Sequence, residues 1–104
     1  MAGKFVLTTA KNGQFMFNLK AGNGEIILTS EMYTTKSAAQ NGIESVQKNG
    51  GMEERFERKE AKNGQFFFNL KAANHQVIGK SELYKAKASM ENGIKSVMKN
   101  AADA

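Results

Sequence analysis

Residues that could perform acid–base or nucleophilic chemistry are scarce in this chain. It contains one histidine, His75, one aspartate, Asp103, and no cysteine. A nucleophilic triad needs a nucleophile, a base and a carboxylate that orients the base, and a zinc site needs several Cys or His ligands. The composition therefore disfavours a triad, a cysteine nucleophile and a zinc centre. We expect a protein that is not an enzyme, with no catalytic, cofactor-binding or metal-binding residues and no cofactor.

Three other patterns can be read as chemistry or as plain structure. Glu31 and Glu82 could form a carboxylate pair like that of glycosidases, but a glutamate just before a helix also stabilises the positive helix N-terminus. Gly22-Asn23-Gly24 lacks the strand and helix context of a nucleotide-binding loop. His75 stands at a predicted turn, and histidine tolerates positive φ better than most residues. In each case we prefer the structural interpretation.

A more suggestive pattern lies in two predicted strands, where polar residues and single large apolar residues alternate with a buried-looking row. The residues that alternate with the buried-looking ones form the candidate ligand face. They are Gln14, Met16, Asn18, Lys20, Gln65, Phe67, Asn69 and Lys71. If helices cover the other side of the sheet, this face is exposed. Lysines and amides around an aromatic ring suit single-stranded nucleic acid, which binds by phosphate contact and base stacking. The alternative is that Met16 and Phe67 are ordinary surface apolar residues.

The elements that carry these residues occur twice. A shift of 51 residues aligns Lys-Asn-Gly-Gln-Phe at residues 11–15 with residues 62–66, and Phe-Asn-Leu-Lys-Ala at 17–21 with 68–72. From residue 11 to residue 49, 23 of the 39 positions are identical to their partners. A repeat of this length indicates that each copy is one supersecondary unit. We therefore predict one domain over residues 1–104, with repeats at 4–49 and 55–100.

Each repeat reads as β-β-β-α. First strands are predicted at residues 4–9 and 55–60, and Asn12-Gly13 and Asn63-Gly64 predict type I′ hairpin turns. In the second strands, the phenylalanines and leucines that alternate with the candidate row are expected to face the core. The third strands lie around residues 26–28 and 77–78. Their facing stays open, because both parities carry an apolar residue.

A helix is predicted over residues 35–48, because Ala39, Gly42, Ile43 and Val46 recur at the spacing of a buried helical stripe. Met90, Gly93, Ile94 and Val97 repeat this stripe in the second copy. Thr35 or Ser37 could cap the helix start. Asn49-Gly50 is typical of a left-handed turn at the helix end.

Four motifs in each half resemble those of the YegP-like family of small bacterial proteins. They are Lys-Asn-Gly-Gln-Phe, Phe-Asn-Leu-Lys-Ala, Ser-Glu-x-Tyr and Asn-Gly-Ile-x-Ser-Val-x-Lys-Asn. The resemblance implies an α+β fold in which the two units join into one antiparallel six-stranded sheet, with two helices, exchanged between the halves, on one face. It implies no activity.

Charge and hydropathy limit the class of partner. The formal net charge is +5, with a pI near 9.6, which permits nucleic acid or an acidic protein as partner. No run approaches the roughly 18 apolar residues of a membrane helix, so we expect a cytoplasmic protein that does not enter membranes. We predict a small binding module that takes single-stranded nucleic acid or another polyanion on the candidate face. The alternative is a protein-interaction module that uses the sheet face or a sheet edge.

Duplication also predicts the oligomeric state. A unit of about fifty residues buries little apolar surface alone, whereas the duplicated chain supplies both halves. We therefore expect a monomer. An isolated first half should be unfolded when dilute or should rebuild the sheet as a homodimer.

Overall fold

The computed structural model describes residues 3–101, so Asp103 lies outside the described residues. Each repeat contains three strands and a C-terminal helix, as predicted. The elements are β1 (Lys4–Thr9), β2 (Phe15–Lys20), β3 (Ile26–Thr29), α1 (Lys36–Asn49), β4 (Phe56–Glu60), β5 (Phe66–Lys71), β6 (Val77–Lys80) and α2 (Lys87–Ala101). Arg55, predicted to begin β4, instead ends a short 3₁₀ turn at Glu53–Arg55.

All six strands form one antiparallel sheet in the order β1-β2-β3-β6-β5-β4. The repeats meet where Thr29 pairs with Lys80. These residues are equivalent under the 51-residue shift, so the pair marks a pseudo-two-fold axis. Beside it, Leu28 covers Gly79, where an added Cβ would lie only 2.6 Å from Leu28 Cδ2. The Leu28 side chain thus fills the space that Gly79, which has no side chain, leaves at the junction.

The core lies between the sheet and the two helices. Phe17, Leu19, Phe68 and Leu70, predicted to face inward, are all 0% exposed. Helix α1 packs on β2 of its own repeat and on β5 and β6 of the other, and α2 packs on β5, β2 and β3. The single sheet and the helices that cross between repeats are therefore confirmed. Each helix also keeps contact with the middle strand of its own repeat.

Strand β3 places two consecutive side chains in the core, and in β6 two consecutive residues, Ile78 and Gly79, are buried. The register between β2 and β3 shifts between Leu19 and Lys20, and near this bulge Ile27 and Leu28 are both buried. The same shift recurs between β5 and β6. A bulge lets neighbouring residues share a face. This irregularity is why alternation in the sequence left the facing open.

The hairpin turns are not type I′, so that prediction is wrong. Type I′ needs positive φ at both central residues, but in the first hairpin only Gly13 has it, at 83°. The Gly13 amide donates to Ala10 O (3.0 Å) and the Ala10 amide donates to Gln14 O (2.7 Å). This is a three-residue loop, a type I turn followed by a left-handed residue. Asn12 Oδ1 accepts from the Gln14 amide (3.0 Å) and stabilises it.

The prediction for the N-terminus of α1 is confirmed, and the prediction for its C-terminus is wrong. Thr35 Oγ1 accepts from the Ala38 amide at 3.0 Å, which confirms the N-cap. The left-handed turn at Gly50 is wrong, because Gly50 has φ −64° and its amide donates to Val46 O. A Cβ on Gly50 would lie 2.6 Å from Ala101 Cβ, at the end of α2. Glycine is needed there because the helix ends approach closely.

A tyrosine side chain packs against the glycine of the Asn-Gly pair in each helix. A Cβ on Gly42 would collide with the Tyr33 hydroxyl and lie 3.0 Å from the Phe17 ring. Tyr33 stacks on Phe17 with ring centroids 6.2 Å apart. Burial raises the pKa of Tyr33, and the charge of Glu31 adds to the shift. Tyr84 occupies the same position over Gly93. Glycine here brings each helix close to the sheet.

Substitution of adjacent phenylalanines tests the facing of β5. Phe68 is fully buried, and its ring centroid lies 5.5 Å from that of Phe56. Phe68→Ala should therefore lower the free energy of unfolding by about 3 to 5 kcal/mol. Phe67 and Met16 are only partly buried on the other side. Phe67→Ala and Met16→Ala should each cost less than about 1 kcal/mol. Urea denaturation measures both values, and equal losses for Phe67 and Phe68 would contradict the facing.

Separated repeats test the junction. In a homodimer of residues 1–50, Leu28 would meet a second Leu28 where the intact chain has Gly79. We therefore expect neither residues 1–50 nor residues 52–104 to fold alone, because each lacks its complementary partner. An equimolar mixture should fold, as followed by circular dichroism and sedimentation. A 1–50 fragment that folds as a monomer, with a melting temperature independent of concentration, would show that the repeats are autonomous.

Candidate functional site

The candidate site is the face of the sheet opposite the helices, called here the open face. Strand pairing places on it the residues that alternate with the buried row. They are Lys4, Val6, Thr8, Met16, Asn18, Lys20, Ile26, Thr29, Glu57, Lys59, Phe67, Asn69, Lys71, Val77 and Lys80. Six of the eight predicted ligand-face residues belong to this set. The other two, Gln14 and Gln65, lie in the hairpin turns.

The two glutamines are engaged by their own turns. Gln14 Oε1 accepts from Asn12 Nδ2 at 2.9 Å, and Gln65 Oε1 accepts from Asn63 Nδ2 at 2.8 Å. Both side chains therefore close a loop at the margin of the open face. Removing them from the candidate site leaves a face dominated by lysine.

On the repeat-2 half of the open face, the Glu57 carboxylate contacts two lysines and one asparagine. Lys71 Nζ lies 3.0 Å from Glu57 Oε2, and Lys59 Nζ lies 3.8 Å from Oε1. Asn69 Nδ2 donates to Glu57 Oε1 at 3.4 Å. The hydrogen bond from Lys71 is the largest cause of the lowered pKa of Glu57, and burial opposes it. Lys71, a predicted site residue, is thus already paired with a carboxylate.

The repeat-1 half has no such carboxylate. Val6 occupies the position equivalent to Glu57, and Lys20 the position equivalent to Lys71. Lys4 pairs directly with Lys20 across β1 and β2. Within residues 3–101 neither lysine forms an ion pair. Like charges directly opposite each other on neighbouring strands are destabilising, so this pair would gain from a bound anion.

Phe67 is the aromatic ring of the open face. Lys80 Nζ lies 5.0 Å from its ring centroid, a cation–π contact. The equivalent pair in repeat 1 is Met16 and Thr29. The ring is therefore partly covered by a cationic side chain, and a stacking ligand would have to displace it.

Summed over its strand residues, the open face carries five lysines and one glutamate, a net charge of +4. Sequence reasoning missed Lys4, Lys59 and Lys80. The hairpin register could have revealed Lys4 and Lys59, because each pairs with a residue of the predicted row. Lys80 was hidden by the bulge that breaks alternation in β6.

The structure also places the other candidate residues. Glu31 borders a cleft beside Tyr33, Asn69 and Lys80, and Glu82 is not among its lining residues. His75 has φ 70°, in the left-handed position that Gly24 fills in repeat 1, so its turn role is confirmed. Within residues 3–101, no three His, Cys, Asp or Glu residues cluster as metal ligands would. The same residues contain no helix that is long and apolar enough to span a membrane.

The loop at residues 22–24 does not have the geometry of a phosphate-binding loop. Gly22 and Asn23 stand in a three-residue hairpin loop, in which the Ala21 amide donates to Glu25 O at 2.9 Å. A phosphate-binding loop leads from a strand into a helix N-terminus. This loop joins two strands, so it offers no such site.

Comparisons with known proteins agree with the repeated motifs. The model of the family described as "Domain of unknown function (DUF1508)" matches residues 10–57 and again residues 61–104. The UPF0339 protein MS1092 of Mannheimia succiniciproducens is 61% identical over 100 residues, which cover 96% of this chain and 88% of that protein.

Two solution NMR structures have the same fold. UPF0339 protein SO3888 of Shewanella oneidensis matches with a TM-score of 0.92 and 58% identity, over 98% of this chain and 86% of the other. The protein of unknown function yegP from Escherichia coli matches with a TM-score of 0.92 and 57% identity, over 97% and 87% of the two chains. The chain therefore belongs to the YegP-like family (UPF0339, DUF1508), and it carries the family domain twice.

Proposed function

We propose that this protein is a non-enzymatic, cytoplasmic binding module that takes single-stranded nucleic acid on its open face. The observation that carries the proposal is the charge of that face, five lysines against one glutamate on the strand residues. Positive grooves that follow a phosphate backbone are the common feature of proteins that bind single strands. The monomer is sufficient for this role, because the duplication completes the sheet.

The lysines differ in how readily they could contact phosphate. Lys71 is held by Glu57 at 3.0 Å, whereas Lys4 and Lys20 face each other without a carboxylate among the described residues. A phosphate between Lys4 and Lys20 would replace their repulsion with two attractions. We therefore assign the strongest phosphate contact to the repeat-1 half of the open face.

Phe67 supplies one stacking surface. A base that stacks on it would displace Lys80 from the ring, and the freed ammonium could then contact the adjacent phosphate. One aromatic ring supports little base selectivity, since stacking tolerates every base. The proposal is thus of binding with weak sequence preference and strong dependence on salt.

Variants at three lysines test this function. The probe is a labelled oligothymidylate of about 16 nucleotides, the upper end of single-strand site sizes, titrated by fluorescence anisotropy from about 50 to 200 mM salt. Lys4→Ala, Lys20→Ala and Lys80→Ala together should weaken binding and lower the slope of log K against log salt by roughly 2, since each lost phosphate contact removes about 0.7. Phe67→Ala should cost about 1 to 3 kcal/mol of binding.

The matched control removes three exposed helix lysines, Lys48→Ala, Lys95→Ala and Lys99→Ala, and so makes the same change in net charge. Thermal melts check that both triple variants remain folded. If the helix variant loses as much affinity as the open-face variant, binding reflects total charge rather than this face. Binding that is unchanged in the open-face variant contradicts the proposal.

A further inference from the structure

The two outer strands of the sheet occupy equivalent positions, but their chemistry differs. Strand β1 reads Lys-Phe-Val-Leu-Thr-Thr at residues 4–9, and the equivalent residues 55–60 read Arg-Phe-Glu-Arg-Lys-Glu. Both strands are at an edge of the sheet order. Charged side chains on an edge strand discourage pairing with another chain. Edge β4 therefore carries this protection, and edge β1 lacks it after its first residue.

The flank between β4 and α2 is sealed by side chains. Arg58 donates to Glu91 of α2, with Nη2 to Oε1 at 3.0 Å, and also pairs with Glu53 at 3.2 Å. Beneath these charges the core residues are almost completely buried, with Phe56 at 7%, Met90 at 1% and Ile94 at 2% exposure. An added strand at this edge would have to break the ion pairs.

The equivalent flank between β1 and α1 is not sealed. Leu7 replaces Arg58 and Gln40 replaces Glu91, so no ion pair bridges strand and helix there, and Ala39 replaces Met90. As a result Phe5 and Ile43 are only partly buried, although their counterparts Phe56 and Ile94 are buried. Apolar surface thus lies along the same edge whose backbone has no partner among residues 3–101.

The charge of this flank is positive. The carboxylates of Glu57, Glu60 and Glu91 have Val6, Thr9 and Gln40 as their counterparts, so the acidic groups of repeat 2 are lost in repeat 1. Two cations are kept, since Lys4 corresponds to Arg55 and Lys36 to Lys87, whereas Arg58 and Lys59 have Leu7 and Thr8 as their counterparts. Lys87 borders the sealed flank together with Arg58 and Met90. An occupant of the β1 flank therefore meets lysines and no carboxylate from these positions.

From these observations we propose that the outer edge of β1 binds an extended, acidic and apolar segment of a partner protein, which adds to the sheet as a seventh strand. Backbone pairing would supply affinity, and alternate side chains would supply specificity. Apolar residues of the segment would face Phe5, Leu7 and Ile43 on the helix side. Acidic residues would alternate with them and face Lys4 on the open-face side.

A second copy of this chain is a poorer occupant of the same edge. It would bring its own Lys4 and Lys36 to a flank that has lost its carboxylates, and each chain carries a net charge of +5. Like charges across a contact oppose association. An acidic segment removes this repulsion, so charge complementarity favours a different partner.

The probe is a six-residue peptide with blocked ends in which glutamates and valines alternate, the length of β1. Binding to the intact chain is followed by chemical shifts of the backbone amides. We expect the shifts to concentrate in β1 and the adjoining side of α1, and a peptide with lysines in place of glutamates to bind at least about tenfold more weakly, a difference of 1.4 kcal/mol.

The decisive variant is Leu7→Arg with Gln40→Glu, which copies the ion pair of repeat 2 into repeat 1 and so has a folded precedent in the same chain. It should weaken the peptide at least about tenfold. The control is the reverse exchange, Arg58→Leu with Glu91→Gln, which leaves β1 untouched and should not change binding at β1. Melting curves confirm that both variants fold.

Three outcomes would overturn this proposal. The first is the absence of binding at millimolar peptide, and the second is binding that the Leu7→Arg, Gln40→Glu variant leaves unchanged. Chemical-shift changes confined to the open face around Lys20 and Lys80 would also count as this second outcome. They would show that the peptide's glutamates only neutralise lysines of the open face. The third is a dimer of the protein alone, seen by sedimentation and lost in that variant, which would make a second copy the occupant. None of these outcomes depends on whether the open face binds nucleic acid.

Discussion

The fold depends on a narrow junction between two halves of one sheet. A single backbone pair, Thr29 with Lys80, joins the strands of the two repeats. One pair cannot stabilise a six-stranded sheet, so the connection must come from the side chains on either side of it. Leu28 lies over Gly79 at the junction, and both helices pack across it onto strands of the opposite repeat. The hydrophobic core is therefore shared, and neither repeat has a core of its own.

Duplication within one chain also lets the two halves differ. A symmetric dimer must place the same residue on both sides of its axis, whereas this chain places Leu28 against Gly79. The same freedom extends to the surface. Repeat 2 carries Glu57 and a sealed edge, and repeat 1 carries Val6 and an apolar edge beside lysines that form no ion pair with any residue from 3 to 101. The shared core keeps the two backbones alike while the surfaces become specialised.

Just beyond the pairing of β2 with β3, a serine hydroxyl accepts a backbone hydrogen bond, which explains the serine of the Ser-Glu-x-Tyr motif. Phe17 N donates to Ser30 Oγ at 2.8 Å, and Ser30 Oγ donates to Glu31 O at 2.8 Å. Ser81 repeats the arrangement in the second half. A buried backbone amide without a partner is costly, so the hydroxyl stabilises this end of the pairing between β2 and β3. The chain is then directed so that Tyr33 can pack between Phe17 and Gly42.

The sequence alone determined the repeat, the order of elements and the inward rows of β2 and β5, because hydrophobic periodicity and Asn-Gly pairs are local signals. It also identified six residues of the open face. Only the tertiary structure decided the turn type, the facing of β3 and β6, and which lysines share that face, because bulges interrupt alternation and strand pairing joins distant residues. The glycines at 42, 50 and 79 have the same origin. Their reason is a neighbour distant in sequence, which lies in the other repeat for Gly50 and Gly79 and in the same repeat, at Tyr33 and Phe17, for Gly42.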